Sequence, residues 1–110
     1  MNLAADRRSE TRHSCKQEAL CRRGGSWWLA QVKDISPAGV GLWMEPRFEP
    51  GTGLTVELFP STTQEVSMQV QVVRSQSDRG DGAGWLHGCT IQSRFSAPEM
   101  QNLLQRVTHS

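Results

Sequence analysis

The chain has 110 residues and a net charge of +1, which gives room for one domain with a single modest core and no overall field to draw in nucleic acid or an acidic membrane. No run of about 18 apolar residues is present, which excludes a spanning helix, and Met1 to Arg8 lacks the apolar stretch of a signal peptide. A soluble, cytoplasmic protein is expected, in which any recognition of an anion is local.

Residues 1–12 are polar and charged, with Arg7, Arg8 and Arg12 among them and little that is apolar beyond Leu3. Such a stretch has too little to bury and is expected to be a mobile arm, with residues 13–110 forming the single folded domain. From His13 the pattern becomes strand-like: Cys15, Ala19 and Cys21 interleave with polar residues, and Arg22-Arg23-Gly24-Gly25-Ser26 reads as a turn. Trp27 to Ile35 is rich in β-formers, with Trp28, Ala30 and Val32 on one face and Trp27, Leu29 and Gln31 on the other. One tryptophan of the pair is therefore expected in the core and one outside.

Ser36-Pro37-Ala38-Gly39 breaks the run, and Val40, Leu42 and Met44 then alternate with Gly41, Trp43 and Glu45. Residues 45–53, with two prolines and two glycines, read as a loop. Leu54, Val56 and Leu58 alternate up to Pro60, and Val66, Met68, Val70 and Val72 form the cleanest period-two series. Residues 76–84 are rich in Gly and Asp and are expected to connect to a last strand from Trp85 to Phe95, with Cys89 and Ile91 on one side.

The period then changes. Ser96-Ala97-Pro98-Glu99 combines a serine cap, proline in the first turn and glutamate at the third helical position, a capping box. Met100, Leu103, Leu104 and Val107 follow at spacings of three and four, one apolar stripe of a short helix that docks on the sheet. The expected fold is all-β with a terminal helix: a six-stranded antiparallel β-barrel with a C-terminal α-helix.

Three cysteines (Cys15, Cys21, Cys89) fit no even disulfide framework and read as small apolar fillers. His13 with Cys15, and His87 with Cys89, each place two metal-ligand types on one strand face. Were those strands neighbours, a zinc site would be conceivable, although the spacing matches no known zinc loop; no metal is expected. Nothing assembles a catalytic site. Ser36 has no nearby histidine and no nucleophile elbow, and Glu45, Glu49 and Glu57 are explained as solvated. The chain is expected to bind rather than to catalyse, with no cofactor.

Two short motifs remain. Arg8-x-x-x-Arg12 offers guanidiniums that match phosphate oxygens and the acceptor edge of guanine. Asp34-x-Ser36-x-x-Gly39 offers, at a strand end, a carboxylate that accepts from guanine's N–H edge. Each has a plainer reading: a solvated charge cluster for the first, and for the second a turn in which glycine supplies a positive φ or a close approach. Together, in this order on a barrel-plus-helix chain, they suggest a site for an anionic, guanine-bearing ligand.

With both motifs complete, the sequence resembles a PilZ domain, the bacterial receptor module for cyclic di-GMP. Val72-Val73-Arg74 and Gly88-Cys89-Thr90-Ile91 support the resemblance, the latter departing from the family's Gly-Val-x-Phe at Cys89 and Ile91. The resemblance implies a six-stranded, split-barrel type fold. Arg8 and Arg12 on the arm would close over the ligand, Asp34 and Ser36 would meet a guanine edge, and Gly39 would let the backbone turn. Arg74 and Arg7 are weaker candidates. The implied function is a cyclic di-GMP receptor that passes a change of arm conformation to a downstream protein, with no role for DNA or membrane. Two alternatives stand beside it: a nucleotide-independent protein-interaction module on the same barrel, and a small RNA-binding barrel, against which the near-neutral charge argues.

Overall fold

A computed structural model describes residues 13–59, 63–78 and 83–108. Six strands, β1 (His13–Arg23), β2 (Ser26–Ile35), β3 (Gly39–Met44), β4 (Gly53–Leu58), β5 (Val66–Asp78) and β6 (Gly84–Ile91), precede one helix, α1 (Ala97–Thr108). All pairings are antiparallel, and the strands close into a barrel in the order β1-β2-β3-β6-β5-β4. The expected fold class holds. Closure removes the unpaired edges that an open sheet of this size would leave.

The alternation read from the sequence builds the core. Val32, Val40, Leu42, Met44, Val56, Leu58 and Met68 are fully buried, and Leu54, Val70 and Val72 nearly so. Cys21 and Cys89 join this core, and burial pushes both thiols up to about 12. They are apolar filler, as expected. Cys15 is half-buried and packs against the same core. β5 runs six residues past Val72 to Asp78, paired with β6 down to Gly84, so that the connection is shorter than its glycine content suggested. β6 ends at Ile91 rather than Phe95, and Phe95 folds back onto the core.

The paired tryptophans diverge from expectation in one respect. Trp27 is exposed, but Trp28 sits half-buried outside the main core, edge-on to Phe48 with ring centroids 4.9 Å apart. Its face is the inner one, yet its position near the hairpin end places it beyond the last core layer.

Register shifts interrupt the ladder at three places: between Ser14 and Gln17 on β1, between Val32 and Asp34 on β2, and between Val72 and Arg74 on β5. On β2 and β5 the step is one extra residue: Lys33-Asp34 spans a single step of β3, and Val73-Arg74 a single step of β6. A bulge of this kind reverses which face the following side chains occupy. Val32 and Ile35 are therefore both buried although three apart, and Asp34 lies on the outer side.

The helix start is capped as its sequence predicts. Ser96 N–H donates to Glu99 Oε1 at 2.8 Å, and Glu99 N–H donates to Ser96 Oγ at 3.2 Å. These bonds hold the Glu99 carboxyl below its ordinary range. Met100, Leu103 and Val107 are buried on the side that closes the barrel against β1. Replacing Ser96 with alanine removes one cap and should lower unfolding free energy by about 1 kcal/mol, read as a lower urea midpoint at unchanged slope.

Candidate functional site

The two bulges deliver their residues to one line across the outer face of the barrel. Cross-strand partners run Ser14–Asp34–Gly41–Gly88–Arg74, one residue from each of β1, β2, β3, β6 and β5. Asp34, Gly41, Gly88 and Arg74 line one small cleft of about 110 Å³. Its floor is the two glycines. A Cβ on Gly41 would stand 3.0 Å from Asp34 Oδ1 and 3.1 Å from Oδ2, so the carboxylate lies across the bare backbone of β3. On the far side, a Cβ on Gly88 would meet Arg74 Cγ and Nε at 3.2 Å. Carboxylate and guanidinium thus recline toward each other over a floor without side chains.

Ser36 and Gly39 form the turn at the end of β2. Ser36 N–H donates to Gly39 O at 2.8 Å, and Gly39 N–H donates back to Ser36 Oγ at 3.2 Å. Ser36 is buried, and its hydroxyl reaches Gly39 O only at 3.5 Å. Among the described residues, positive φ occurs at Gly24, Gly51 and Phe59 but not at Gly39. Of the two reasons the sequence offered for glycine at position 39, the conformational one is therefore removed. The turn is tied to the barrel by Ile91 N–H, which donates to Ala38 O at 2.9 Å.

Asp34 and Arg74 are thus brought together, with Ser36 and Gly39 in the adjoining turn. Arg7, Arg8 and Arg12 lie outside the described residues. Gly41 and Gly88 were not singled out as site residues. Their signal was faint, since a glycine inside a strand pattern marks a close approach but does not say to what. The conceivable zinc site fails on topology: β1 neighbours β2 and β4, whereas β6 neighbours β3 and β5. His13 and Cys15 therefore lie on a strand that is not adjacent to the one carrying His87 and Cys89.

A family model, PilZ domain, matches residues 6–109. The chain belongs to the PilZ family. No curated protein matches it, but solved structures share its fold. The PilZ domain of YcgR from Escherichia coli, solved with c-di-GMP, superposes with a TM-score of 0.66 at 16% identity, over 94% of this chain and 89% of that one. The inhibitor of motility MotI/DgrA of Bacillus subtilis gives 0.71 at 17%, over 94% of this chain and 50% of that one. The K. pneumonia MrkH–c-di-GMP complex gives 0.67 at 16%, over 93% and 53%. The chain spans about half the length of the latter two, and at these identities the likeness speaks for fold alone.

Beneath the floor of this PilZ domain, His87 points inward and is fully buried. Its Nε2 accepts the Phe48 backbone N–H at 3.0 Å, which fixes the proton of the neutral ring on Nδ1. Phe48 O in turn accepts from Ser75 Oγ at 2.6 Å, and the Phe48 ring stands 5.7 Å from the imidazole. One loop residue between β3 and β4 is held by both β5 and β6. Burial pushes the His87 pKa below its ordinary 6.5 and the nearby Arg47 charge adds to this, while the carbonyls of Leu42 and Trp85 oppose it. With the folded pKa below the unfolded one, the unfolded chain binds the extra proton. The contribution of His87 is thus complete above about pH 6.5 and is lost as pH falls from there toward the folded value. Urea titrations between about pH 7.5 and 5.5 should show falling stability, and His87→Gln, which keeps an acceptor for Phe48 N–H but does not titrate, should flatten that slope.

Proposed function

We propose that this PilZ domain is a non-catalytic receptor for cyclic di-GMP. The observation that carries the reading is the Asp34–Gly41–Gly88–Arg74 row, which sets an acceptor and a donor fork at opposite ends of a flat floor. A purine is flat, and guanine differs from adenine in presenting N–H donors on one edge and two acceptors on another. Asp34 accepts from the donor edge. Arg74 supplies a guanidinium to the acceptor edge or to a phosphate. The c-di-GMP present in the YcgR and MrkH structures supports the same ligand class.

Arg8 and Arg12, with Arg7 adding local positive charge, clamp the ligand from the N-terminal side. Fixing an arm costs about 1–2 kcal/mol per residue, and hydrogen bonds to charged groups return about 1.5–3 kcal/mol each. Docking of the arm is therefore driven by the ligand and is the change a partner protein reads. Ser36 and Gly39 hold the rim. Neither metal nor cofactor has a part in this binding, and the signal passes to a protein rather than to DNA or membrane.

Calorimetric titration should detect binding of cyclic di-GMP, and thermal shift should respond to it but not to cyclic di-AMP or GTP. Asp34→Ala and Arg12→Ala should each weaken binding roughly 10–100-fold. Gly88→Val, which lifts Arg74 while suiting a strand, should weaken it at an unchanged melting temperature of the free protein. The absence of any response to cyclic di-GMP would sink the reading.

A further inference from the structure

A second surface lies on the outer face of β2 and β3, beside the proposed nucleotide row but sharing none of its lining residues. It is a groove of about 450 Å³, lined among others by Trp27, Leu29, Trp43, Glu18 and Glu45. Trp27 and Leu29 are 61% and 70% exposed, while the inward residues Ala30 and Val32 of the same strand are buried. Leu20 on β1 stands directly across from Leu29 and extends the apolar surface. Trp43 lies over Gly84, where a Cβ would collide with its ring, so the indole is held flat as a wall of the groove. Clustered exposed aromatic and aliphatic side chains on a small domain mark an interaction site more often than a solvated face.

The charges around the groove select the occupant. Two of the nearby cations are already engaged: Arg22 pairs with Glu57 at 2.8 Å, and Arg47 pairs with Glu49 while lying 5.4 Å from the Trp85 ring. Glu18 and Glu45 are exposed, and neither has an ion-pair partner among the described residues. The groove therefore offers two carboxylates and the faces of tryptophans, which attract guanidinium and ammonium groups. An acidic rim repels nucleic acid and anionic lipid alike.

We propose that this groove is a docking site for a protein segment that presents arginine or lysine next to an aliphatic or aromatic side chain. The apolar side chain fills the space between Leu29 and Trp43, and the cation reaches Glu18 or Glu45 across an indole face. The surface belongs to the folded barrel, and the proposal stands whether or not the neighbouring row binds nucleotide.

Selection of a random peptide library displayed on phage against the full-length protein, with and without cyclic di-GMP, tests this. The expected result is enrichment of peptides with a basic residue adjacent to an apolar one. Their synthetic versions should bind the wild type and lose at least about tenfold in affinity to Leu29→Ser and to the Glu18→Lys/Glu45→Lys pair. Asp34→Ala should leave peptide binding without cyclic di-GMP unchanged, which separates this site from the nucleotide reading. No enrichment, an acidic consensus, or binding that survives both variants would overturn the proposal. So would light scattering that shows a dimer dissolved by Leu29→Ser, since the groove would then belong to a second copy of the chain.

Discussion

Two single-residue bulges decide what this barrel shows to solvent. In an uninterrupted strand, Asp34 would share the inward face with Val32, and Arg74 would share it with Val72. A lone carboxylate or guanidinium in that core would cost several kcal/mol unless paired. The register steps at Lys33 and Val73 each insert one residue and turn the following side chain outward. Beyond the first bulge the core pattern resumes with Ile35 facing in. The same device thus keeps the interior apolar and creates the polar row on the surface.

The glycines complete what the bulges begin. Asp34 and Arg74 stand on β2 and β5, separated by β3 and β6, and strands lie about 4.8 Å apart. Ordinary side chains at positions 41 and 88 would fill the intervening surface and force both charged groups upright. With glycine at both positions, each charged side chain lies across its neighbour's backbone. Position 84 uses the same means for a different end, since there the bare backbone receives the Trp43 ring.

How much of this was legible in the sequence follows from the range of each interaction. The helix was legible because capping and the three–four stripe are local: Ser96, Glu99, Met100, Leu103 and Val107 each signal within one or two turns. The strands and their inward faces were legible for the same reason, since alternation needs only a few neighbours. A bulge leaves no comparable mark. Lys33-Asp34 and Val73-Arg74 look like regular strand positions, and only pairing with β3 and β6 shows the missing step. The Asp34 motif could be picked out by residue type, but that Arg74 shares its cleft depends on strand order across the sheet. His87 was read as a possible metal ligand, whereas its bond to Phe48 spans 39 residues and depends on how the 45–52 loop folds over the barrel end.

Along β3 the consequences meet in two successive outward residues. Gly41 carries no side chain and lets Asp34 recline, while Trp43, one outward position further on, carries the largest and forms a wall of the acidic groove. The small residue opens the surface on one side and the large one divides it from the other. Because β3 sits between β2 and β6 in a closed ladder, it cannot shift against one neighbour without disturbing the other. The two surfaces are therefore chemically separate, with disjoint linings, but are mechanically fixed to one strand. A rigid strand between them holds their spacing constant, so a partner bound at the groove would lie at a set distance from whatever occupies the row.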